Sequence, residues 1–170
     1  MLLNYRRIQV SKLTLAKQIE KVPFSYMRHG KYLRGNPNDA FVGDIYTYRK
    51  AGYGVYIKPI IRLANRYVGT RAINLTGASR DVLIENLSKN RPILVIASND
   101  FQKVDRLNWK TWTTSAGRIS VSYYEHCFLL IGYDAKYFYV RDPLQVQTKV
   151  DIPTFIASWQ QFGSQAMTIH

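Results

Sequence analysis

His126, Cys127 and Asp142 are the residues whose types and spacing could do chemistry. They lie in the stretch YYEHCFLLIGYDAKYFYVRDPL, residues 123–144. An imidazole, a thiol and a carboxylate are the working parts of a cysteine hydrolase. The imidazole takes the thiol proton, the carboxylate holds the ring in one tautomer, and the thiolate attacks an acyl carbon. The first question is whether Cys127 can be that thiol. The residues HCFLLIGY read as a strand, and successive strand side chains point to opposite faces. Cys127 therefore turns away from His126 and joins Leu129 and Ile131, as a buried apolar cysteine without a base in reach.

The second question is what positions the histidine. Two apolar runs, HCFLLIGY and YFYVRD, flank GYDAKY, where Asp134 and a fall in apolarity mark a tight turn. A hairpin centred on Asp134 places His126 directly across from Asp142, with β-carbons about 4.5–5.5 Å apart. A carboxylate at that range orients the imidazole. A slip of one residue would send the two side chains to opposite faces.

The other elements follow from periodicity and punctuation. MLLNY reads as the end of a helix that carries no cap before it. A second helix is expected near residues 13–21, where Leu15, Ile19 and Val22 keep roughly helical spacing. RHGKYLRGNPNDAFVGD is rich in Gly, Asn, Asp and Pro and reads as a loop. Ile60, Leu63, Ala64 and Tyr67 give the clearest helix, with Pro59 in its first turn and Gly69 at its end. RAINLTG reads as a short strand or linker. Ser79 reads as the N-cap of a helix near residues 80–89 with Leu83 and Leu87 on one face. RPILVIAS is expected to be a buried strand, 99–117 a loop, and RISVSYY a strand. A helix follows from Pro153 through Trp159 to Gly163, and QAMTI closes the chain as a strand. Helices come first and antiparallel strands later, so the fold class is α+β.

Length and composition set the outer limits. The chain has 170 residues, 46% of them apolar, which suits a single packed domain over 1–170. No apolar run is long enough to span a membrane. The N-terminal residues lack the order of a secretory signal, and localisation stays open. The net charge of +13 favours anionic neighbours, but the basic residues are scattered and carry no nucleic-acid motif. One cysteine and three widely spaced histidines give no metal-ligand pattern, so neither metal nor cofactor is expected.

EHCFLLIGYDAKYFYVRDPL followed by FIASWQQFGSQAMTI resembles the C-terminal half of cysteine peptidases similar to the bacteriocin-processing (double-glycine leader) peptidases of bacteria. The resemblance extends through NPNDAFVGD, GYGVY, the helix ending LANRY, and RPILVIAS. It implies a papain-like fold, with N-terminal helices packed on a C-terminal antiparallel sheet. It also implies His126 as general base and Asp142 as its orienting partner. In such families the order is Cys, His, then Asp or Asn, with the nucleophile at the start of the first long helix and a Gln just before it. MLLNY is similar to the part of that helix which follows the Cys. The expectation is therefore a peptidase-like domain, either truncated at its N-terminus or a degenerate homologue that keeps the groove and not the chemistry, holding the His/Asp half of the site without its nucleophile, and inactive as it stands.

The implied partner is a peptide or related amide. Tyr123, Tyr124, Trp109 and Trp112 either line its groove or pack in the core. The alternative reading is a non-catalytic module of the same fold that binds a peptide or cell-wall fragment. A nucleic-acid binder is a third reading, resting on charge alone. Apolar surface left uncovered beside the first helix would favour a homodimer.

Overall fold

The computed structural model describes residues 1–47, 49–144 and 148–170. In chain order the elements are α1 (Leu2–Tyr5), α2 (Lys12–Gln18), β1 (Lys21–Val22), β2 (Ser25–Arg28), β3 (Lys31–Arg34), β4 (Phe41–Val42), α3 (Ile57–Val68), β5 (Ala72–Asn74), α4 (Arg80–Ser88), β6 (Ile93–Ser98), β7 (Lys110–Thr114), β8 (Gly117–Val121), β9 (Glu125–Tyr133), β10 (Tyr137–Arg141), β11 (Thr148–Asp151), α5 (Ile152–Gln161) and β12 (Ala166–Ile169). Six strands form one antiparallel sheet in the order β11-β10-β9-β6-β12-β5.

Both faces of that sheet are buried, which is why β6 and the middle of β9 read as continuous apolar runs. Leu83 and Leu87 of α4 and Phe155 and Trp159 of α5 cover Val95, Phe128, Leu130 and Phe138 on one face. Leu2 and Leu3 of α1 and Ile57, Ala64 and Val68 of α3 cover Ile96, Leu129 and Met167 on the other. Full burial of each large side chain contributes about 1.5–3 kcal/mol. A third cluster joins Val42, Trp112 and Val121, with Phe24 and Tyr53 packed against it. It fastens the β7–β8 hairpin to the N-terminal strands. The fold is α+β and papain-like, with one departure from the expected layering: α4 and α5 add a helical layer on the face opposite α1 and α3.

Several local expectations agree with the structure because their signals are local. Ser79 Oγ accepts from Val82 N at 3.4 Å and starts α4. Gly69, at φ 63°, ends α3 in a conformation that costs glycine little. The Asp151 side chain accepts from Thr154 N at 3.1 Å at the start of α5, and Gly163, at φ 79°, follows its end.

Four expectations need correction. The helix near 13–21 stops at Gln18; Ile19 is extended, and Lys21–Val22 pairs with Phe41–Val42 in parallel. Its start is set by Ser11, whose hydroxyl accepts from Thr14 N at 3.0 Å. The supposed loop from Arg28 contains the second half of a hairpin, with β2 paired to β3. Its turn residues, His29 and Gly30, have φ values of 49° and 71°, the left-handed pair that matches the twist of a two-residue hairpin. The stretch 99–117 is a loop only in its first half, since Lys110–Thr114 pairs with Gly117–Val121. Finally, the β9–β10 register is not the one centred on Asp134. Phe138 pairs with Tyr133 and Tyr139 with Gly132, but Val140 pairs with Leu130 and Arg141 with Leu129. The shift leaves Ile131 as an extra residue on β9, a β-bulge.

Candidate active site

β9 brings His126 to the edge of the core beside Phe128, with the two rings edge to face at a centroid distance of 4.7 Å. Both side chains point to the α4–α5 face. Val140 packs on that same face, so Asp142, two residues on, is directed there too. The bulge makes this possible. An unbulged ladder would set Val140 against Ile131, which packs on the opposite face. Continuing the observed register by one residue sets Asp142 across from Phe128, so His126 is its diagonal neighbour and not its direct partner. The imidazole nevertheless reaches it: His126 Nε2 and Asp142 Oδ1 are 2.8 Å apart.

The pair is enclosed. The His126 side chain keeps 19% of its exposure and that of Asp142 9%. Asp142 Oδ1 also accepts from Leu144 N at 2.8 Å, which pins the Asp-Pro turn. Burial pushes the Asp142 carboxyl up, but the Leu144 amide and the His126 ring outweigh it and hold it below the usual carboxylate range. A carboxylate accepting from Nε2 fixes the tautomer by the network around it and leaves Nδ1 as the free ring nitrogen. Such a ring can take a proton at Nδ1 while Asp142 stabilises the imidazolium.

Cys127 lies on the other face. It pairs with Ile96, which is buried beneath α1 and α3. Burial pushes its thiol up to about 12, and the neighbouring Glu125 adds to the rise. It forms no hydrogen bond to His126, and at that pKa the thiolate nucleophile is not populated near neutrality.

Glu125 is a feature that sequence reasoning missed. It sits on the Cys127 side of β9, and burial pushes its carboxyl up to about 8, opposed by its bond with Tyr53. Tyr53 Oη donates to Glu125 Oε2 at 2.9 Å, and it lies 3.0 Å from Tyr56 Oη and 3.3 Å from the Ser122 carbonyl oxygen. A Cβ on Gly54 would lie 2.5 Å from Glu125 Oε1, so the missing side chain makes room for the carboxyl. A glutamate on a strand position whose i+2 neighbour faces the core was the available signal.

The aromatic residues divide. Trp112 is buried in the third cluster, edge to face with Tyr53 at 4.9 Å and with Phe24 at 5.5 Å, so it is a packing residue. Tyr123 and Tyr124 are exposed. Trp109 is half-buried against Phe162, with ring centroids 5.1 Å apart, and lines an open groove at the α3 N-terminus.

The chain is similar to the uncharacterized protein YvpB of Bacillus subtilis (strain 168), 42% identical over 170 residues. The match covers 99% of this chain, which spans 65% of the length of that relative. Among solved structures it is similar to a candidate C39-like peptidase from Bacillus anthracis, at 42% identity and a TM-score of 0.92. That match covers 99% of this chain and 84% of the other. The model of the Peptidase_C39 like family matches residues 1–167. Sequence and fold agree across nearly the whole length, and the chain belongs to the Peptidase_C39 like family.

Proposed function

We propose that His126 and Asp142 are the base and orienting half of a cysteine-peptidase site. The observation that carries the reading is the 2.8 Å bond between His126 Nε2 and Asp142 Oδ1. It leaves Nδ1 to accept the proton of a thiol. The thiolate then attacks the carbonyl carbon of a peptide bond, the amine leaves with the proton held by His126, and water releases the acyl group. Among the residues of this chain the only thiol is that of Cys127, which is turned to the other face of β9 and held protonated by burial. On this reading the chain by itself forms no acyl-enzyme and is inactive. We read the reacting thiol, as the resemblance implies it, as standing on a helical segment that runs into α1.

The test is labelling by a peptidyl chloromethyl ketone, read by intact mass. The chain of 170 residues is expected to stay unlabelled at neutral pH while folded. A version carrying a cysteine-bearing helical segment joined ahead of Leu2 is expected to take up one label, and His126→Ala in that version to abolish it. Labelling of Cys127 in the folded chain, or labelling of the extended version that survives His126→Ala, would overturn the assignment.

A second reading is a binding module of the same fold, favoured by the orientation of Cys127. It predicts peptide binding with no labelling in either version.

A further inference from the structure

The groove beside Trp109 has a volume of about 690 Å³, within the range of ligand sites. Three cations line it: Lys58 from the first turn of α3, and Lys103 and Arg106 from the loop after β6. All three are exposed, and none forms an ion pair among the described residues. Among the described residues no carboxylate lines the groove. The carboxylate next to Arg106 in the chain, Asp105, is occupied in accepting from Leu107 N at 2.8 Å. Three unpaired cations around one concavity raise the local potential well above that of scattered surface charge.

The groove is tied to the His126 end of the sheet. Gln165 lines it, and its Oε1 accepts from Ile57 N at 3.1 Å, which seats the α3 N-terminus. The Gln165 carbonyl accepts from Ile96 N at 3.2 Å, and the next residue of β6, Ala97, pairs with His126. Two strand spacings, about 10 Å, therefore separate the Gln165 and His126 backbones, so the groove lies near the end of the sheet that carries the imidazole. Asn38 and Ser120 offer amide and hydroxyl groups for a peptide backbone, and Trp109 and Phe162 offer an apolar floor.

We propose that this groove binds an acidic peptide segment, and that Lys58, Lys103 and Arg106 select substrates that carry carboxylate side chains. This rests on the peptidase reading for the word substrate. Recognition of an acidic peptide rests only on the groove. A single strand of nucleic acid is the poorer fit, because Trp109 spends its ring against Phe162 instead of offering it as a stacking platform.

The experiment is fluorescence anisotropy with a labelled glutamate-rich peptide, its glutamine counterpart, and single-stranded DNA of matched charge. The glutamate peptide is expected to bind at least about tenfold more tightly than the glutamine one, and to weaken as salt rises. Replacing Lys58, Lys103 and Arg106 together by Gln is expected to weaken binding by about tenfold or more, a change of about 1.4 kcal/mol. Replacing exposed Lys12, Lys31 and Lys136 by Gln removes the same charge elsewhere and is expected to leave binding within about twofold. Circular dichroism checks that both variants fold. Equal losses in the two variants, equal binding of the two peptides, or DNA that displaces the peptide at matched concentration would each overturn the proposal. No thiol enters this assay, so its failure removes the acidic substrate class and leaves the labelling result standing, and the reverse also holds.

Discussion

His126 and Asp142 meet at 2.8 Å as diagonal neighbours across a bulged hairpin, not as a directly opposed pair. The extra residue at Ile131 keeps the two apolar sets of β9 and β10 in phase and delivers the carboxylate to the imidazole face. The bond has a measurable consequence at low pH. The Asp142 carboxyl is held below its ordinary 3.8 in the folded chain. A carboxyl depressed on folding contributes stability that is present above its unfolded pKa and is lost as pH falls through the folded one. Asp142→Asn is expected to cost about 1.5–3 kcal/mol near pH 7, where a charged acceptor is replaced by a neutral one. The difference between the parent and the variant should shrink below about pH 4. Urea unfolding at pH 7, 5 and 3 checks this, and a pH-independent difference would assign the cost to shape alone.

Glu125 behaves in the opposite sense. Its carboxyl stands at about 8 when folded against an ordinary 4.5. The folded chain therefore keeps a proton that the unfolded chain releases, and stability falls as pH rises from about 4.5 to about 8. Glu125→Gln preserves the shape and the bond with Tyr53 while removing the titration. The variant is expected to be close to the parent at pH 5 and to gain on it by on the order of 3 kcal/mol by pH 8. Parallel stability curves across that window would mean that Glu125 titrates as an exposed carboxyl.

Cys127 gives the third prediction. Burial and a pKa of about 12 leave almost no thiolate at pH 8. Ellman's reagent is expected to react with the folded chain at least about a hundredfold more slowly than with the urea-unfolded chain. Cys127→Ala should cost only about 1 kcal/mol, the loss of a small half-buried group beside Ile96. Rapid reaction of the folded thiol would place Cys127 within reach of solvent and of a base.

What the sequence by itself determined is what neighbours along the chain decide. Ser79 caps α4 because a hydroxyl can reach an amide three residues on, and Gly69 ends α3 because glycine enters the left-handed region freely. The apolar run ILVIAS is long enough for a strand buried on both sides, and alternation alone turns Cys127 away from His126. Those signals, with the family resemblance, were enough to single out His126 and Asp142 as candidates. The tertiary structure decided the rest. The hairpin register depended on which side chains pack beneath α4 and α5, and that cross-strand fit required a bulge at Ile131 that no turn residue announces. Trp112 went to the core instead of a groove because β7 pairs with β8 over Val42 and Tyr53. Glu125 became a half-buried acid because Tyr53 and Gly54, some seventy residues earlier in the chain, close over it. Lys58, Lys103 and Arg106 became one basic groove for the same reason: burial and potential are properties of distances in space, and chain separation does not encode them.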